Sequence, residues 1–398
     1  MVNNNSATEV ASDDDLLTEI FRRLPVNSLL RFKSVSKRWL SLINHPYLHC
    51  RRRKPISGLI FNNPNPTSSV PEFDFIPLDG CSAPFTTLEF AGDKAGMTIL
   101  SSCNGLLCCC STSSGGYYVY NPTTRSYAGI PKPPFSEKQG RNRVNAVTLA
   151  FDPAVSQHFT VVLVVLSDDS LPGPFHVKVY SSETGKWKKL QRPLPKDLNY
   201  KLGVYWNGAV NWPATHGRHG LYFNAENESF GEFPMPPLPA QKRVRYMQES
   251  SGHLHLIDIH GPRTAQFEIY EMERDYSGWA VKFRVDIESV MKACPESINK
   301  NLRESDPFYY RFLTTAVVRG GGLEGDAAAE EDDSFLVLSV PGKVIRYGLA
   351  GEKKRFSVVR EFGPDGFGQC GRMLGWFDCF HFIESFSDPI SPKTHSLH

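Results

Sequence analysis

YNPTTRSYAGIP, residues 120–131, decides how most of this chain is read. An aromatic ends one strand, a polar run turns, and a second aromatic, Tyr127, returns seven positions later. That is the pattern of a β-hairpin whose cross-strand aromatics pack against each other. It recurs as YSSETGKWKKL from Tyr180, FNAENESFGEFP from Phe223, YEMERDYSGWAVKF from Tyr270 and YGLAGEKKRFSVVREF from Tyr347. The returning aromatic stands seven positions on at Trp187 and Phe230, and nine on at Trp279 and Phe356.

A second element precedes three of these hairpins: SCNGLLCCC from Ser102, YWNGAVNW from Tyr205 and SSGHLHLID from Ser250. Gly105 and Gly208 lie 15 residues before their hairpin's first aromatic, and Gly252 lies 18 before Tyr270. Asn-Gly is a strong two-residue hairpin signal because both residues tolerate positive φ. Two hairpins in succession make a four-stranded unit. The units start 60, 43 and 47 residues apart, near the period of about 40–50 of propeller blades. The chain after residue 54 therefore reads as an all-β domain, a β-propeller of about six or seven blades. Its 31 glycines and 29 prolines punctuate short Val-, Ile-, Tyr- and Phe-rich runs, and amphipathic helices are scarce there.

Ahead of it, DDDLLTEIFRRLPVNSLLRFKSVSKRWLSLINHPY (Asp13–Tyr47) reads as three short helices. Leu16, Leu17, Ile20, Phe21 and Leu24 recur at helical spacing until Pro25 ends the helix. Leu29, Leu30 and Phe32 mark a second helix, and Val35, Trp39, Leu42 and Ile43 stripe a third. Units below about 40 residues seldom bury this much apolar surface unaided. The excess implies a partner.

Within this stretch, LTEIFRRLPVNSLLRFKSVSKRWLSLI resembles an F-box, the adaptor-docking motif of cullin-type ubiquitin ligases. It departs at its start, where family members usually carry Leu-Pro and this chain has Ser12-Asp13-Asp14. SCNGLLC followed by YVYNPTTRSYAGIP resembles the opening of the F-box-associated domain, the kelch-related β-propeller of plant F-box proteins. That match is close from Ile99 to Pro134 and patterned as far as Phe386. The resemblance implies a small all-α F-box at 13–50 and a propeller at 55–386. Carried over position by position, it implies adaptor contacts from Leu16, Leu17, Ile20, Leu24, Pro25, Leu29, Val35, Ser36, Trp39, Leu42 and Ile43. Large apolar anchors of this kind suit interface hot spots.

The joints are also legible. Residues 1–12 and 387–398 read as a disordered start and a flexible tail, and His49–Pro55 as a linker. Asn62–Asp79, rich in Pro, Ser and Asn, reads as a loop, and residues 320–334 as a mobile acidic insertion. Ten Lys and Arg with no Asp or Glu fall between Ile20 and Pro71, leaving 34 basic against 42 acidic residues elsewhere, a net −8. A basic head on an acidic body suits an acidic partner surface. Its cations interleave with an apolar stripe rather than line a base-reading helix, so nucleic acid is not an expected partner. The most conspicuous apolar run, Thr160–Leu166, is far short of a membrane span. Nine cysteines, three of them consecutive at Cys108–Cys110, make a poor disulfide framework and point to a reducing, cytoplasmic or nuclear setting.

Candidate chemistry is thin. His253 and His255 alternate on one strand, with His260 five positions on, yet a metal site needs matched ligands and supporting contacts, so no metal or cofactor is expected. No phosphate loop, nucleophile elbow or activated thiol stands out. The resemblance therefore implies a non-catalytic substrate-recognition subunit, docking a Skp-family adaptor and through it a cullin. A propeller loop would capture the target. Trp206, Trp212, His216, Arg218 and His219, with the loop Ser167–Phe175, are the candidate target contacts. A kelch-like enzyme or small-molecule binder, and an F-box regulator outside the ligase, remain as alternatives.

Overall fold

The computed structural model describes residues 10–50, 55–63, 69–134, 143–166, 175–190, 192–237, 242–260, 264–306, 308–320, 333–351, 355–362, 379–390 and 394–396. Helices α1 (Asp14–Arg23), α2 (Val26–Phe32), α3 (Lys37–Ile43) and α4 (Pro46–Cys50) come first. The described strands then build six antiparallel sheets, the blades of a propeller. Blade 2 contains β3 (Met97–Cys103), β4 (Leu106–Ser111), β5 (Tyr117–Asn121) and β6 (Ser126–Ile130). Blade 3 contains β7 (Arg143–Ala150), β8 (Thr160–Leu166), β9 (Phe175–Ser181) and β10 (Lys186–Lys189). Blade 4 contains β11 (Val204–Trp206), β12 (Ala209–Trp212), β13 (His219–Asn224) and β14 (Ser229–Pro234). Blade 5 contains β15 (Lys242–Ser250), β16 (His253–His260), β17 (Gln266–Met272) and β18 (Trp279–Asp286). Blade 6 contains β19 (Leu313–Val318), β20 (Phe335–Val340), β21 (Lys343–Gly348) and β22 (Phe356–Glu361).

Blade 1 closes the ring by joining distant segments. β1 (Gly58–Asn62) and β2 (Phe73–Pro77) come from its start, and β23 (Cys379–Phe382) pairs with β1 so that Gly58 faces Phe382. The strand β2 corrects the reading of Asn62–Asp79 as loop: Phe73 and Phe75 are buried side chains that alternate towards one core. A last strand, β24 (Thr394–Ser396), adds to the outer edge of β6. Ser387 and Asp388 are also fastened, by hydrogen bonds from Asn121 and Ser126, so the stretch from 387 is not simply a frayed tail. The expected insertion lies mostly outside the described residues.

The aromatic repeat has a simple basis. Tyr120 faces Tyr127, Tyr180 faces Trp187, Phe223 faces Phe230 and Tyr347 faces Phe356 as direct cross-strand partners. In blade 5 the pair nearest the turn is Met272 with Trp279, and Tyr270, two residues further in, faces Val281 instead. The preceding turns also match their signal. Asn104-Gly105, Asn207-Gly208 and Ser251-Gly252 hold positive φ at both positions, the condition for a two-residue turn that follows strand twist.

Strands β3, β7, β11, β15, β19 and β23 lie innermost, and the hydrophobic clusters sit between neighbouring blades. Each inner strand has a free edge that the next blade must satisfy. Side chains do this. Leu149 N–H donates to Ser101 Oγ at 3.1 Å, and His381 N–H to Ser102 Oγ at 3.0 Å. Gln248 acts as a surrogate strand: its Nε2 donates to Val317 O at 2.7 Å and its Oε1 accepts from Val317 N–H at 2.8 Å. Replacing Gln248 by Leu strands both Val317 groups in a buried seam and is expected to cost about 2–4 kcal/mol. Chemical denaturation measures this; an unchanged midpoint and slope would show that the seam does not depend on Gln248.

Candidate functional site

The helices are held by their own caps. Asp13 Oδ1 accepts from the N–H groups of Asp15 at 2.9 Å and Leu16 at 3.0 Å, capping α1. Asp14 and Asp15 occupy its first turn and Arg22 and Arg23 its last, each complementing the helix dipole. The departure at Ser12-Asp13-Asp14 thus provides a cap. Asp13→Ala should cost about 1 kcal/mol, read as a lower melting temperature of the helical region. Arg38 ties α3 back to this entry through Ala11 O at 2.8 Å, Ser12 O at 2.6 Å and Asp14 Oδ1 at 2.8 Å. Residues 10–12 are therefore helical and fastened rather than disordered. Ser36 Oγ caps α3 by accepting from Trp39 N–H at 3.1 Å.

The helices enclose a small core of Leu17, Phe21, Val26, Leu29, Ile43 and Leu48. Phe21, Phe32 and Trp39 pack as an aromatic triad with centroids 5.1–6.0 Å apart, both phenylalanines meeting Trp39 edge-on. This core divides the eleven expected adaptor contacts. Leu17, Leu29 and Ile43 are buried and hold the helices together. Leu24, Trp39 and Leu42 are half-buried. Leu16, Ile20 and Val35 are 48%, 41% and 58% exposed, and Pro25 and Ser36 are also exposed. Two further apolar residues, Leu40 and Tyr47, are exposed and were missed. Leu40 carries a signal, since it falls off the Val35/Trp39/Ile43 stripe. Five of the ten exposed large apolar side chains among the described residues lie between positions 16 and 47.

The helices rest on one face of the propeller. Gln157, between β7 and β8, donates to Asn44 O at 3.0 Å, and Lys33 donates to Phe386 O at 2.5 Å. That face carries the first and third turns of each blade. On it the central channel opens into a cavity of about 270 Å³ lined in part by Asn104, Asp152, Glu249, Arg274 and Glu384.

The expected target contacts separate. Trp206 and Trp212 are 5% and 0% exposed and belong to the core beside Tyr200 and Phe233, which corrects their assignment as surface residues. The Trp206 indole N–H donates to Gly252 O at 2.9 Å, linking blades 4 and 5. His216 and Arg218 are exposed on the β12–β13 connection and His219 at the start of β13, on the face opposite the helices. Residues 167–174 lie outside the described residues.

The histidine strand is structural where described. His255 is fully buried, and burial pushes its pKa down to about 3. His253 Nδ1 pairs with Glu271 Oε1 at 2.7 Å. No cluster of three or more His, Cys, Asp or Glu is placed to hold a metal among the described residues. The unfolded chain protonates His255 near its ordinary value while the fold keeps it neutral. Stability is therefore expected to fall as pH drops from about 6.5 towards 3, with a slope of about 1.4 kcal/mol per pH unit. Melting curves across that range should flatten in a His255→Phe chain; an unchanged slope would reject the assignment. Burial also pushes the Cys108 thiol up to about 12, which keeps it inert.

Comparison with known proteins fits this architecture. A profile described as "F-box domain" matches residues 13–51, and one described as "F-box associated beta propeller domain" matches residues 49–282. The chain is a member of the F-box protein family. F-box protein At5g07610 of Arabidopsis thaliana is 34% identical over 395 residues, covering 90% of this chain and 88% of that protein. F-box protein At5g49610 of Arabidopsis thaliana is 29% identical over 301 residues, covering 71% and 81%. Putative F-box/kelch-repeat protein At1g12870, also of Arabidopsis thaliana, is 33% identical over 297 residues, covering 69% and 71%. In this F-box protein no described helix is long and apolar enough to cross a membrane.

Proposed function

We propose that this F-box protein is the substrate-recognition subunit of a Skp–cullin–F-box ubiquitin ligase in the cytoplasm or nucleus. The observation that carries the reading is the set of exposed apolar side chains on the F-box helices, Leu16, Ile20, Val35, Leu40 and Tyr47. Exposed anchors this concentrated mark a protein interface. No chemistry on this chain is required. Holding a target near a ubiquitin-charged enzyme raises the effective concentration of its lysines. The test is capture of a purified Skp-family adaptor by the full chain; a folded chain that captures none rejects the reading.

The exposed loop bearing His216, Arg218 and His219 is the proposed target contact, since it faces away from the helices. A His216→Ala/Arg218→Ala/His219→Ala chain is expected to keep adaptor capture and lose at least about tenfold in target capture, each contact being worth about 0.5–1 kcal/mol. Undiminished capture of targets would move the contact elsewhere.

A further inference from the structure

The segment that follows β23 does not end at the propeller. Phe386 is 4% exposed and sits inside the F-box core with Leu17, Phe21, Val26, Leu29, Ile43 and Leu48. Lys33 of the F-box reaches the same segment, donating to Phe386 O at 2.5 Å and pairing with Asp388 at 3.3 Å. The opposite side of the segment is bound to blade 2. Asn121 Nδ2 donates to Ser385 O at 2.9 Å and to Ser387 O at 2.7 Å. Ser385 N–H donates to Thr123 Oγ1 at 3.2 Å, and Ser126 Oγ donates to Asp388 Oδ1 at 2.8 Å. Gly105, with φ +88°, lets the segment cross the β3–β4 turn, because a Cβ there would stand 2.3 Å from Ser385 Cβ.

From this arrangement we infer that Phe386 is a positioning residue for the adaptor-docking face: residues 385–388 complete the F-box core and clamp it to blade 2. The inference rests on the adaptor reading for its consequence and on the geometry for its cause. A helical unit of this size lacks the apolar volume to order itself, and an aromatic ring supplied from the propeller provides the missing part. Adaptor affinity then scales with the fraction of F-box helices that the ring keeps ordered.

The test compares the full chain with Phe386→Ala and Phe386→Leu variants in two measurements, hydrogen exchange of residues 13–50 and affinity for a purified Skp-family adaptor. Exchange in blades 3 to 5 is the internal control for propeller folding. In Phe386→Ala, F-box amides are expected to exchange at least about tenfold faster with the control blades unchanged, and adaptor affinity to fall by the factor by which the ordered fraction of the F-box drops. Phe386→Leu, which keeps most of the apolar volume, is expected to restore both. F-box protection unchanged in Phe386→Ala overturns the inference. Faster exchange with undiminished adaptor affinity overturns its functional part. If the unmodified chain binds no adaptor, the proposed function fails, while the exchange measurement still decides whether Phe386 completes the F-box.

Discussion

A chain carrying Leu16→Asp and Ile20→Asp should lose capture of a Skp-family adaptor while melting at the temperature of the unmodified protein. Leu16 and Ile20 stand one helical turn apart on α1, 48% and 41% exposed, outside the core made by Leu17 and Phe21. Substitutions at exposed positions usually change stability by about 0.5 kcal/mol or less. Buried in an interface, each is an anchor worth about 2 kcal/mol, and a carboxylate in its place adds a desolvation cost. The pair therefore removes about 4 kcal/mol, roughly a thousandfold in affinity. Isothermal titration and a melting curve on the same samples measure both quantities. Wild-type affinity in the double variant would place the interface elsewhere. A Leu24→Ala/Pro25→Ala chain is a less clean probe, because Leu24 is half-buried against the F-box core and its loss also loosens the helices.

The second large effect lies in the propeller. Trp212→Ala should destabilise it by about 3–5 kcal/mol, well beyond any change at His216 or Arg218 nearby in the chain. Trp212 is fully buried, packs edge-on against Tyr200 with centroids 5.6 Å apart, and closes against Gly203. Removing the indole leaves a cavity in the cluster that spans blades 3, 4 and 5. Guanidinium denaturation would report it. A loss below about 1 kcal/mol would mean that the blades collapse into the space.

What could be read in advance follows the range of the interaction. Tyr120 with Tyr127 and Phe223 with Phe230 are joined by turns of a few residues, so sequence spacing alone fixes their pairing. Trp279 shows the limit, since the blade 5 strands pair two residues closer to the turn than the spacing suggests, which sets it opposite Met272 rather than Tyr270. The F-box helices were legible as amphipathic, but periodicity cannot say which of Leu16 and Leu17 faces a partner when the apolar arc includes both. Trp206 and Trp212 misled because hydrophobic size suits hot spot and core equally. Strands β23 and β24 and the seat of Phe386 depend on partners roughly 270 to 370 residues away, and no local pattern encodes such distances.

The seat of Phe386 also sets an order of events during synthesis. The F-box helices leave the ribosome early, yet the ring that fills their core is made about 340 residues later. At about 5–20 residues per second, that is a wait of roughly 20 to 70 seconds. Over that interval the nascent helices present an open apolar socket, at the stage when unfinished chains meet chaperones and each other. An F-box protein built this way gains a complete F-box core only after its propeller has nearly all been synthesised.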